Sequence, residues 1–323
     1  MFDVISIGNA LIDAFLTIHD ANEYCSVDAA GQTLRIAAGE KINLESSQFL
    51  LGGNAANVAV GLSRLGLKSA IAAEVGDDEF TEKIIKGLTK EHVATTYLKQ
   101  TEAASSFAIA LNFKGERTLF VQHILRKHNF QLSDAKTKWL YLTSLGNEWH
   151  EAYRHTGEIA KQGKALLAFN PGSLQLAEGV ASFRALLPLT TLLFVNKEEA
   201  EEIAGEKPNS VETLLKKTQA TGPKHVVLTD GENGSYVITD TGAMYHCGLY
   251  PARDVERTGA GDAYATAFLA AIIHGEKTQE AMRWGAANSA SVIEHVGAEE
   301  GLLRHATMKE KLAVHELPVR ELC

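Results

Sequence analysis

This chain of 323 residues carries only three cysteines, Cys25, Cys247 and Cys323. An odd number, spread so widely, builds neither a disulfide framework nor a metal-type pair, and a reducing cytosol is the simplest setting for such thiols. Long apolar runs are missing too: nothing approaches the ~20 residues that a membrane span requires. The N-terminus, MFDVISIGNALID, has no basic stretch ahead of its apolar residues and already carries Asp3, so it does not read as a secretory leader. There is no dense run of Lys and Arg, and the net charge of −9 argues against a nucleic-acid surface. A small anionic substrate stays in play, because helix N-termini bind phosphate without net positive charge.

Several catalytic signatures are absent as well. Gly163-Lys164 is followed by Ala165 and lacks a glycine at P-loop spacing, and no Gly-x-Gly-x-x-Gly follows the first apolar run, which sets dinucleotide enzymes aside. The histidines show no metal spacing; His123 and His128 read as surface or lid residues. No serine sits in a nucleophile elbow, and no repeat, linker or low-complexity tract divides the chain.

What is present has the composition of an enzyme with a large core, at 45% hydrophobic and 22% charged residues. Phe2 to Ile7 reads as a strand stopped by Gly8-Asn9. From Leu11 to about Gln48 the pattern is irregular, with short β-like pieces at Phe15–Ile18 and Leu34–Ile36. It sharpens at Leu51, where Asn54 reads as a helix cap and Val58, Leu62 and Leu65 recur at helical spacing before Gly66. A strand at Lys68–Glu74 and a helix at Phe80–Leu88 continue a βαβ rhythm, which implies a parallel sheet. Ser105–Phe113 and Arg117–Ile124, joined by Lys114-Gly115-Glu116, read instead as a hairpin, and a hairpin belongs to no parallel crossover. It is assigned with the irregular segment to a separate small sheet. The rhythm resumes with strands at Trp139–Thr143, Ala165–Phe169, Leu192–Val195 and His225–Thr229 and helices at Glu148–Gln162 and Lys197–Ile203. A hairpin (Tyr236–Thr239 with Met244–Cys247) and a helix at Thr278–Glu294 follow. Thr307–Cys323 is amphipathic or frayed.

The chain is organised around Val255–Ile273, VERTGAGDAYATAFLAAII. Gly259-Ala260-Gly261 precede Asp262 and a run of Ala, Leu, Ile and aromatics that suits a helix buried on most of its circumference, starting at Gly261 or Asp262 and stopping at Gly275. The first amides of a helix lack intrahelical partners and carry roughly half a positive charge. Side chains absent at Gly259 and Gly261 let an anion approach those amides. A carboxylate at the same place repels an anion, unless it takes a proton from whatever attacks that anion. That is the geometry of phosphoryl transfer. A tight turn with Asp as a first-turn charge is the plainer reading of the same residues.

Two motifs in order, Gly52-Gly53-Asn54-Ala55-Ala56-Asn57 and Thr258-Gly259-Ala260-Gly261-Asp262, resemble those of the ribokinase-like family of carbohydrate and nucleoside kinases, also called the phosphofructokinase B type. The resemblance covers nearly the whole chain. It implies one three-layer α/β/α domain over residues 1–323, with a mainly parallel sheet and a small β lid inserted from about 10–48 and 104–125. It also implies that Asp262 accepts the proton of the substrate hydroxyl and that the amides of Gly259, Ala260 and Gly261 form an anion hole. Asp13, Gly52, Gly53, Asn54 and Asn57 are then substrate-binding residues, with Arg117, His123 and Asn170 as further partners for hydroxyl groups. Asn196-Lys197-Glu198-Glu199 matches the family's Asn-x-x-Glu, which puts Asn196 near the phosphates and Glu199 at Mg²⁺; an ordinary charged first helical turn explains the same residues. Thr229, Gly231 and Gly234 resemble the turn beside ATP, and Asn288 falls on the adenine-side helix. Because strands of such sheets present ligands at their carboxyl ends, Gly8, Gly52, Asn170, Asn196 and Thr229 are expected on one rim.

The chain departs from the family pattern at Glu256 and Arg257, where Asp and Thr are usual, and this leaves monovalent-cation activation in doubt. The expectation is an ATP-dependent kinase acting on a hydroxymethyl group of a small sugar. A nucleoside kinase is the alternative, and a ligand-binding regulator without catalysis is the reading from another class. The partners expected are a sugar or nucleoside, with no nucleic acid or membrane; a homodimer through the lid is the candidate assembly.

Overall fold

The computed structural model describes residues 1–28, 30, 33–114, 116–122, 124–130, 132–253 and 255–322. Gly115, expected at the hairpin tip, and His123 and Cys323 lie outside the described residues.

Among the described residues, nine strands form the main sheet. From one edge, Ser69–Ala72, Phe2–Ile7, Thr137–Leu142, Leu166–Phe169, Leu192–Asn196 and His225–Thr229 are parallel; Ser235–Ile238, Met244–Cys247 and Val319–Leu322 then extend it antiparallel. Successive strand residues point to opposite faces, and each face has its own apolar layer. Ile5, Ile7, Leu140, Leu142, Leu167 and Phe169 pack with the helices His150–Lys161, Lys197–Ala204 and Val211–Ala220. Val4, Trp139, Tyr141, Ala168, Phe194 and Val227 pack with Asn54–Arg64, Ala260–Ile273, Thr278–Ile293 and His305–Val314. The three layers are thus written in the alternation of the strands. Ala260–Ile273 is buried continuously from Ala263 to Ala271, as a chargeless helix must be.

The second sheet has the order Glu116–Gln122, Phe107–Phe113, Leu11–Ile18, Leu44–Gly52, and a short hairpin, Cys25–Val27 with Leu34–Ile36, is appended. Cross-strand register stacks three rows on one face: Asp13, Ala108 and Val121; Phe15, Ala110 and Leu119; Thr17, Asn112 and Arg117. The expected boundary at residue 48 moves to Gly52, because Leu44–Gly52 pairs along the whole of Leu11–Ile18.

Other expectations change too. Asn54 is the first residue of its helix and not the cap; Gly53 caps it at φ 94°. There a Cβ would lie 2.6 Å from the Asn9 carbonyl oxygen, the same oxygen that accepts from the Ala55 and Ala56 amides. The C-terminal stretch is a helix followed by an edge strand on the main sheet. His128 is buried, with Nδ1 at 3.0 Å from Glu74. Val211–Ala220, started by Ser210 accepting from the Thr213 amide, had a legible signal in that serine and in Leu214, Leu215 and Thr218.

Candidate active site

A cleft of about 510 Å³ opens between the carboxyl ends of the parallel strands and the inner face of the second sheet. The strands deliver Asn9, Ser144, Asn170, Asn196 and Thr229 to it just at or beyond their ends, and the second sheet roofs it with Leu11, Asp13, Phe15, Ala108, Ala110, Leu119 and Val121. A neighbouring cavity of about 610 Å³ lies between the Thr229–Gly234 turn, the Gly248–Ala252 segment and the helix Thr278–Ile293. Thr229, Arg257, Ala260, Gly261 and Tyr264 line both. The two chambers therefore meet at the start of the helix Ala260–Ile273, where its N-terminal field is strongest.

Asp262 faces the first chamber only. Its Oδ2 accepts from Asn57 Nδ2 at 2.9 Å, so the two sequence motifs touch. Burial pushes its carboxyl up from 3.8 to about 7; the Asn57 amide opposes that shift, and the negative charges of Asp13 and Glu199 add to it. A carboxylate of that basicity takes a proton near neutral pH, the range in which a general base is most effective. Gly259 holds the turn before the helix at φ 78°, and a Cβ there would come within 2.5 Å of the Ala298 methyl. Of the three amides assigned to the anion hole, that of Ala260 donates to the Arg257 carbonyl at 3.3 Å. The first-turn amides of Gly261 and Asp262 are those the helix itself leaves open.

Asn54 and Asn57 both line the first chamber, as their three-residue spacing requires. Asp13 lies within the strand Leu11–Ile18. Burial pushes its carboxyl up to about 6, with Glu256 raising it further and Arg117 opposing. Gly52 and Gly8 do not reach the rim among the lining residues. A Cβ on Gly52 would overlap Asp13 Oδ2 at 2.0 Å, so this glycine makes room for the acid. The paired glycines serve the protein's own groups first.

Asn196 and Glu199 close a capping box, Asn196 Oδ1 accepting from the Glu199 amide and Glu199 Oε2 from the Asn196 amide. The charged-turn reading is therefore realised, and both residues also line the chamber. Burial raises the Glu199 carboxyl above its ordinary range, with Glu198 and Glu202 adding and the Asn196 amide opposing. Thr229, Gly231 and Gly234 border the second chamber. Asn288 does not: it is fully buried, donating to the Ala263 carbonyl and accepting from the Leu303 amide. It braces two helices, while Ala286, Ser289, Ala290 and Ile293 supply the wall. Asn170 reaches the chamber with Nδ2 on the Phe194 carbonyl. Sequence reasoning missed Asn9, Ser144 and Tyr264; only their places just past a strand end or one turn beyond Gly261 could have marked them.

The sequence model of the pfkB family carbohydrate kinases matches residues 21–304, and the chain belongs to that family. It is 24% identical over 311 residues, covering 92% of this chain and 89% of the relative, to an ATP-dependent 6-phosphofructokinase of Thermoanaerobacterium thermosaccharolyticum. It is 25% identical over 323 residues, covering 93% and 92%, to a 5-dehydro-2-deoxygluconokinase of Shouchella clausii. Among solved structures it resembles a nucleoside kinase of Methanocaldococcus jannaschii, with TM-score 0.76, 20% identity and coverage of 98% and 99%. A ribokinase of Thermotoga maritima is similar at TM-score 0.78, 20% identity and coverage of 97% and 100%. The fold is ribokinase-like, and the protein is a kinase that transfers phosphate to a hydroxyl group of a sugar or nucleoside.

Proposed function

We propose that the protein transfers the γ-phosphoryl group of ATP to the hydroxymethyl group of a small uncharged sugar. The observation that carries this reading is Asp262, raised to about 7, at the junction of two chambers with unequal chemistry. The second chamber, walled by Leu249, Tyr250, Pro251, Ala286 and Ile293, suits a purine, and Thr229, Gly231 and Gly234 would border the nucleotide. The first holds Asp13, Asn54, Asn57 and Asn170 for hydroxyl groups. Arg257 is the one Lys or Arg among its lining residues, and it stands at the shared end. Away from that shared end, an acceptor already bearing phosphate or carboxylate meets no Lys or Arg among the described lining residues. Asp262 then takes the hydroxyl proton while the Gly259–Gly261 turn faces the transferred group.

Glu199 with Asn196 fits Mg²⁺, which keeps most of its waters and needs few protein ligands; when bound it neutralises phosphate charge. The lid and its candidate homodimer belong to the same proposal: Glu116–Gln122 is an exposed edge strand with Leu119, Phe120 and Val121 uncovered. Buried Cys25 and Cys247 are free thiols, in keeping with a reducing cytosol. No helix among the described residues is long and apolar enough to cross a membrane.

One observation favours a nucleoside instead. Six apolar side chains, from Leu11 to Val121, roof the acceptor chamber, and a base would cover them. An ADP-release assay over ribose, fructose, 2-keto-3-deoxygluconate, adenosine, inosine and cytidine decides. Ribose or fructose with the highest kcat/KM supports the proposal; 2-keto-3-deoxygluconate ahead contradicts an uncharged acceptor, and a nucleoside ahead by more than about tenfold, ~1.4 kcal/mol in transition-state binding, overturns the sugar reading.

A further inference from the structure

Arg117 stands on the inner face of the second sheet, in the row beyond Phe15, Ala110 and Leu119. Its guanidinium is bonded to Glu256 Oε1. That same oxygen accepts from the Thr258 amide at 2.8 Å and the Thr258 hydroxyl at 2.6 Å. Glu256 is 9% exposed, and its other oxygen is buried without a hydrogen-bond partner. One carboxylate oxygen therefore joins an arginine of the roof to the turn that leads into Gly259, Ala260 and Gly261. A charge-assisted bond at a largely desolvated site is strong and orienting, and removing either partner strands the other.

We propose that Arg117 is a positioning residue: through Glu256 it couples the seating of the roof over the acceptor to the geometry of the turn that receives the transferred group. With the roof lifted, Glu256 loses its counter-charge while still holding Thr258, so the turn relaxes. With the roof seated, the pair closes and the turn is fixed. Turnover then waits for the acceptor to be covered, which keeps water from competing for the phosphoryl group. This rests on the kinase reading above, but the coupling itself is measurable without an acceptor.

The test compares Arg117→Met, Arg117→Lys, Glu256→Gln and the Met/Gln double variant by hydrogen–deuterium exchange and by kinetics. The coupling predicts reciprocal exchange: Arg117→Met loosens residues 255–261, and Glu256→Gln loosens Glu116–Gln122, in variants that stay folded at the assay temperature. It also predicts kcat reduced on the order of 10–100-fold in Arg117→Met, the scale of a small misplacement at a reacting centre. ATP affinity is retained, Arg117→Lys recovers part of the loss, and the double variant is no worse than either single one. Exchange confined to the element carrying the substitution, or kinetic losses that multiply in the double variant, overturns the proposal. Reciprocal exchange in a protein that phosphorylates no acceptor would instead refute the kinase reading and leave the coupling intact.

Discussion

At Gly261 a methyl group would meet no protein atom within 4 Å, and the backbone there is not in the positive-φ region. Gly53 and Gly259 are different: each has positive φ and a neighbour closer than 3 Å to a would-be Cβ. Gly261 is thus free of the constraints that hold the other two, yet it lines both chambers. Gly261→Ala should fold as well as the parent, gaining up to about 1 kcal/mol from helix propensity, while ATP binding and turnover fall sharply. Thermal melting and ATP titration check it; an alanine variant with normal affinity would show that no ligand uses this space. Asp262 gives a second test at this scale. Its raised carboxyl must be ionised to accept a proton, so kcat/KM should fall as pH drops through about 7. Asn57 is the neighbour that holds this value down. Asn57→Ala should therefore move the acid limb of the pH–rate profile to higher pH, and an unmoved limb contradicts the pairing.

Among the elements, Lys197–Ala204 carries two roles at one residue. Glu199→Gln keeps the hydrogen-bonding pattern of a capping box, so stability should change little while the Mg²⁺ concentration for half-maximal turnover rises. An unchanged metal titration leaves Glu199 as a cap alone. The parallel strands and the helix after Gly261 were legible as continuous apolar runs because the core surrounds them. Leu11–Ile18 and Leu44–Gly52 were not, because their inner face meets the cleft, so Asp13 points where a core strand would carry an apolar residue. The boundary set at Gln48 and the cap set at Asn54 failed for related reasons. Strand pairing outruns the local pattern, and a glycine at positive φ does the capping. Asn288 was misplaced because a buried asparagine bridging two helices and one facing a ligand look alike in sequence.

Among the described residues, four half-buried acids share a raised proton affinity: Asp13 at about 6, Asp262 at about 7, Glu299 at about 8, and Glu199 in the same direction. Burial is the first cause in each. Their folded values lie above their unfolded ones, so the stability they confer is complete at low pH and is lost as pH rises through about 6 to 8. Glu299 lies outside both chambers, and one of its oxygens is buried without a partner. Glu299→Gln should therefore raise the melting temperature at pH 8 to 9 and flatten its fall with pH; an unchanged or lower value at pH 9 contradicts the buried charge. The family assignment explains why so much of the site was readable: the two motifs, some two hundred positions apart in sequence, meet through one hydrogen bond between Asn57 and Asp262. The measurement that tests that junction most directly is turnover of Asp262→Asn beside its ATP affinity. A loss of roughly 10²–10⁴-fold, the usual worth of a positioned general base, with ATP binding and melting temperature little changed, is the result predicted. Near-normal turnover would contradict Asp262 as the base.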